Sequence, residues 1–80
     1  MEFDLDTEKA QKIRAIIAET VGFEVKDIQN DDRFIVDYRI TYGERKSLLE
    51  RLNADFGKDM EFSAFCLLET VGSVLQAYLP

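Results

Sequence analysis

Apolar residues recur along this chain at helical spacing in several separate stretches. Ile13, Ile16, Ile17 and Val21 fall at intervals of three, one and four, one stripe of a helix. Asp6 or Thr7 can cap its start, since a short side-chain oxygen accepts from the free N–H groups of a first turn. Glu8 then meets the positive end of the dipole. Gly22 supplies the residue free to adopt positive φ where that helix stops. Leu48, Leu49, Leu52 and Phe56 mark a second buried face, starting near Thr41 or Gly43 and ending at Gly57. Met60, Phe62, Phe65 and Leu68 suggest a short third helix. Thr70 caps a last one, whose stripe is Val71, Val74, Leu75, Tyr78 and Leu79, with Pro80 closing the chain. The acidic and apolar residues that alternate over positions 1–6 are expected to fray.

Residues 23–40 make a long connection, and loops of that length need pinning. Phe23, Val25, Ile28, Phe34 and Ile35 are the candidates to pack it onto the helices, with turn chemistry from Asn30, Asp31 and Asp32. The run from Phe34 to Tyr42 also has strand-like composition, so a β reading stays open there. The pattern predicts an all-α fold: four helices, the third short, with a long loop between the first and second.

Eighty residues form one domain, 1–80. A chain this short buries only about 60 % of its unfolded surface, and a hydrophobic fraction of 46 % is enough to do so. The absence of histidine and the single cysteine, Cys66, leave no Cys/His metal site and no internal disulfide. With no apolar run near ~18 residues and no secretory signal, a soluble, cytoplasmic protein is expected. The net charge of -6 argues against nucleic-acid binding. From Tyr38 to Ala54, however, four basic residues (Arg39, Arg45, Lys46, Arg51) face two acidic ones (Glu44, Glu50). This local excess sits in an otherwise acidic chain.

Candidate chemistry is sparse. Cys66 lies between Phe65 and Leu67, which favours a buried, inert thiol. Asp31, Asp32 and Asp37 lack the alternation and glycine of a calcium loop and read as turn formers. No nucleophile–base pair is evident, so no enzymatic activity is expected.

The layout resembles the acyl carrier protein family. The loop residues Ile28, Asn30-Asp31 and Phe34-Ile35-Val36-Asp37 match the family's hydrophobic residue, turn and Phe-x-x-Asp signature. Phe56 matches the phenylalanine ending its second helix, and Thr70-Val71 the Thr-Val opening its last. The register runs without gaps from about Lys12 to Leu79. The resemblance implies an acyl-carrier-protein-like four-helix bundle and, for a functional carrier, a phosphopantetheine arm on the serine of Asp-Ser-Leu. Thr41-Tyr42-Gly43 stand in that place. A phenol holds its oxygen several Å further out on a rigid ring and misses the in-line geometry of the serine, so no cofactor is expected.

Ser47, followed by Leu48-Leu49, is the alternative acceptor, but it lies nine residues before Phe56 where the family's serine lies fourteen before. Ser63 and Ser73 are further off. The family's second helix is an acidic recognition surface, whereas Arg45, Lys46 and Arg51, with Arg39 just before, make this one basic. Bulky Tyr38, Tyr42, Phe62 and Phe65 are expected to fill the cavity that in the family takes an acyl chain. A monomer is expected, because no apolar stripe remains once four helices are buried. The departures from the family pattern imply a protein that has lost carriage and binds a protein partner, such as an enzyme of acyl or lipid metabolism, through Arg39, Tyr42, Glu44, Arg45, Lys46 and Arg51. The alternative is an acyl carrier protein of a specialised fatty-acid, lipid or polyketide pathway, modified at an unexpected hydroxyl such as Ser47.

Overall fold

The computed structural model describes residues 8–79. The proposed caps Asp6 and Thr7, the fraying expected of residues 1–6, and Pro80 lie outside them. Among the described residues the chain is all-α, with helices α1 (Glu8–Val21), α2 (Tyr42–Phe56), α3 (Phe62–Phe65) and α4 (Val71–Tyr78), and a 3-10 turn at Val25–Asp27.

The α1 stripe buries Ile13, Ile16 and Ile17 as its spacing requires, and Val21 packs at the edge. Gly22 takes φ +79 and its N–H bonds the Ala18 carbonyl at 2.8 Å, which halts the helix in a conformation that a Cβ disfavours. Leu48, Leu49 and Leu52 of α2 meet α1, and Gly57, at φ 62, ends α2. Lys12 lies over the Phe56 ring, 5.7 Å from its centroid, and Arg51 pairs with Glu19 at 3.1 Å. Position numbers rise along α1 as they fall along α2, so the two helices run antiparallel. Val71, Val74, Leu75 and Tyr78 of α4 and Phe65 of α3 complete a core shared by all four helices.

The long connection is pinned, but by a different set of residues from the expected one. Ile28 and Phe34 are buried as expected, and Tyr38 joins them, while Phe23, Val25 and Ile35 are exposed. Hydrogen bonds supply the rest. The buried Arg14 donates Nη2 to Asn30 Oδ1 at 2.8 Å. Val71 N–H donates to the Asp32 carbonyl, Gly72 N–H to that of Asn30, and Phe34 N–H to that of Glu69, all within 3.0 Å. These bonds tie the loop to the start of α4.

Nor is Phe34–Tyr42 a strand. Asp37 Oδ2 accepts from Arg33 N–H at 2.7 Å, and the N–H groups of Asp37 and Tyr38 return to the Arg33 carbonyl. This local bonding winds the segment into a turn. An isolated bridge, Arg33 to Thr70, is the sheet-like pairing that remains.

Candidate functional site

The basic segment singled out in the sequence gathers around the start of α2. Thr41 is the N-cap: its Oγ1 accepts from Glu44 N–H at 3.1 Å, and Glu44 Oε1 accepts from Thr41 N–H at 2.9 Å. Two otherwise unpaired donors of the first turn are thereby satisfied. Glu44, expected among the recognition residues, is engaged in holding the helix start. Two residues earlier the chain turns sharply, with Arg39 at φ 53, a left-handed conformation unusual for a residue with a side chain.

The cap leaves Tyr42 as the first helical residue, 70 % exposed. It therefore does not fill an interior cavity, as one expectation had it. Its ring instead leans on half-buried Phe62, with centroids 5.0 Å apart and planes at 60°. Of the four aromatics expected inside, Phe65 and Tyr38 are buried. Tyr38 belongs to the loop, where its hydroxyl donates to Asp32 Oδ2 at 2.6 Å. Burial first, then that bond and the charges of Asp32 and Asp37, push its phenol well above the ordinary value near 10.

The cations differ in how they are held. Arg39 and Lys46 are exposed and Arg45 is half-buried. Arg51, though exposed, is paired with Glu19 of α1 at 3.1 Å. Arg45 lines two adjoining hollows of about 280 and 190 Å³. Ile35 and Cys66 are common to both; Val36, Arg33 and Glu69 border the larger, and Tyr42 and Phe62 the smaller. Cys66, expected to be buried, is half-buried and opens onto this groove.

The remaining candidates take structural or exposed places. Ser47 is an exposed serine on the second turn of α2, and Ser63 is exposed on α3. Ser73 closes the α4 cap, its N–H donating to Thr70 Oγ1 at 3.1 Å. Asp32 and Asp37 accept the turn-forming bonds expected of them: Asp32 Oδ2 takes Gln29 N–H at 2.9 Å, and Asp37 takes Arg33 N–H. No group of three metal-ligating side chains occurs among the described residues, and none of their helices is long and apolar enough to cross a membrane.

Sequence reasoning missed the exposed pair Ile35 and Val36, which border the groove. A consecutive pair of β-branched residues just inside the Phe-x-x-Asp turn was the available signal. A larger groove, about 520 Å³, runs between α1 and the 3-10 turn over Phe23 and Val25. Its rim charges are already matched, Glu24 with Lys26 at 3.4 Å and Glu19 with Arg51.

No protein-family model matches this chain, and no curated protein matches it.

Proposed function

We propose that the chain is an acyl-carrier-protein-like bundle that no longer carries an acyl arm and acts by binding an acidic protein partner. Position 42 carries the reading. At the place the resemblance gives to the attachment serine stands a largely exposed tyrosine, the first residue of a well-capped helix, backed by Phe62. Its neighbours Arg39, Arg45 and Lys46 give the face a positive character in a chain of net charge -6. Such a face attracts acidic surfaces and repels basic ones. The chain itself performs no chemistry in this reading and holds no cofactor.

Co-expression with a promiscuous phosphopantetheinyl transferase, followed by intact-mass measurement, tests the loss of carriage. The native chain is expected to keep its unmodified mass. A gain of one phosphopantetheine, mapped to Ser47 or another hydroxyl, overturns the proposal. The triple variant Thr41→Asp, Tyr42→Ser, Gly43→Leu checks the register. Aspartate is as good an N-cap as threonine, so the helix start survives and the new serine takes the first helical position. This variant is expected to gain the arm; a folded variant that stays unmodified removes the alignment on which the reading rests.

A further inference from the structure

An 80-residue protein with a complete core still leaves Ile35 63 %, Val36 58 % and Leu67 79 % exposed. Ile35 and Val36 border the groove that Cys66 opens onto, and Leu67 follows Cys66 in the chain. Apolar side chains grouped around a hollow mark a contact surface more than scattered ones do. The chemistry of the hollow restricts what it can hold. The two adjoining hollows, about 280 and 190 Å³, are each of a size to take an individual side chain.

No strand exists among the described residues, so a partner has no sheet edge to extend. A helix laid in a groove, read through apolar anchors about a turn apart, suits such a surface. Two adjoining hollows that share Ile35, Arg45 and Cys66 offer places for two such anchors. The charges at the rim decide the partner's polar face. Arg33 and Arg45 line the larger hollow against Glu69, with Arg33 Nε also 3.9 Å from Asp37. Arg45, which lines both hollows, forms no ion pair among the described residues, and the exposed cations Arg39 and Lys46 stand near it in the chain.

We infer that this groove receives an amphipathic acidic helix, two apolar residues one turn apart seated over Ile35, Val36 and Tyr42, and carboxylates against Arg45 and its basic neighbours. The inference rests on the binding function proposed above and names the partner's chemistry.

Cys66, the single cysteine, reports occupancy from within the groove. The probe is a synthetic helical peptide with leucines at i, i+3 and i+4 spacing and glutamates elsewhere; its control replaces every glutamate with lysine. The readout is the rate at which N-ethylmaleimide alkylates Cys66 in the full chain. With the glutamate peptide at about ten times its Kd, about a tenth of the protein stays free and alkylation is expected to slow about tenfold. The lysine peptide is expected to give no protection.

Ile35→Asp, at an exposed position that the fold does not need, should abolish protection. Arg45→Glu should weaken the glutamate peptide and admit the lysine one. Equal protection by both peptides, or glutamate-peptide binding that leaves Cys66 unprotected, overturns the inference. So does failure of the glutamate peptide to bind, or protection that rises with protein concentration alone, which would give the groove to a second copy. Any of these, beside an unmodified native mass and a modified triple variant, removes the acidic helix while leaving the loss of carriage in place.

Discussion

The chain starts two helices with the same device and then uses the two starts in opposite ways. Thr41 with Glu44 and Thr70 with Ser73 both form reciprocal capping boxes. After Thr70 the first helical residue, Val71, is fully buried, and the N–H groups of Val71 and Gly72 are taken by the long loop. After Thr41 the first helical residue is Tyr42, turned to solvent beside a groove. The lesson is that a well-formed cap specifies where a helix begins but not what the beginning is for. That depends on what packs against it. The start of α4 is a joint of the fold, whereas the start of α2 is a platform.

The sharpest way to break the contrast is to remove the side chain that seats the loop against α4. Phe34 is 2 % exposed, and its N–H donates to the Glu69 carbonyl one residue before the Thr70 cap. Truncating a buried phenylalanine costs about 3–5 kcal/mol, a large part of the stability of so small a domain. Phe34→Ala is therefore expected to leave much of the chain unfolded at 25 °C, as read by urea unfolding followed by circular dichroism. A cost below about 1 kcal/mol would mean that the loop is not a joint.

The two caps provide the next largest difference. Losing a threonine N-cap costs about 0.5–2 kcal/mol. Thr70→Ala is expected near the top of that range, because Thr70 and Ser73 are half-buried and their groups would be left without water. Thr41→Ala is expected near the bottom, since Thr41 is exposed and solvent replaces its bond. Equal costs in paired denaturation curves would contradict the assignment of one start to the fold and the other to the surface.

Alkaline pH separates the two starts without a core mutation. Tyr38 donates to Asp32, whose backbone carbonyl receives Val71 N–H, so the phenol supports the α4 side. Its pKa is raised in the folded state by burial and by that carboxylate, and burial also raises that of Tyr78. A group raised on folding contributes stability fully below its unfolded value, here near 10, and loses it as pH climbs toward the folded value. Above pH ~10 the unfolded chain binds fewer protons, so stability should fall with pH. Tyr38→Phe should flatten that fall, as read by denaturant unfolding at neutral and alkaline pH. Unchanged steepness in Tyr38→Phe would sink the coupling.

How much of this was legible in the sequence depends on whether a residue's role is local. Ile13, Ile16 and Ile17, and likewise Leu48, Leu49 and Leu52, announce their burial by spacing alone, because a regular helix turns period into a face. Thr70 and Gly57 are equally local, each acting on its own turn. The loop has no period, so nothing in Phe34-Ile35-Val36-Asp37-Tyr38 says that the first and last of these are buried and the three between them exposed. Asn53 shows the same limit. Its side chain donates to the Met60 carbonyl and accepts from Tyr78 Oη at 2.7 Å, joining the end of α2 to α4 across 25 positions. Cys66 followed its apolar neighbours in sequence, but the end of a four-residue helix turns it toward a groove.

The smallest expected effect tests the platform itself. Tyr42 is mostly exposed, and among the described residues its ring pairs with half-buried Phe62. An aromatic pair contributes about 0.5–1.5 kcal/mol when buried, and solvent on most of this ring places Tyr42→Ala at or below the lower end. Alanine also gains helix propensity over tyrosine by a few tenths of a kcal/mol, which offsets part of the loss. The two terms nearly cancel, so the variant should unfold within about 0.5 kcal/mol of the native chain, as expected of an exposed position. Binding of the acidic peptide should weaken in the same variant, because its anchors lose a wall of the groove. If Tyr42→Ala instead destabilises the chain as much as Thr70→Ala does, the tyrosine is a strut of the bundle. Both helix starts would then serve the fold.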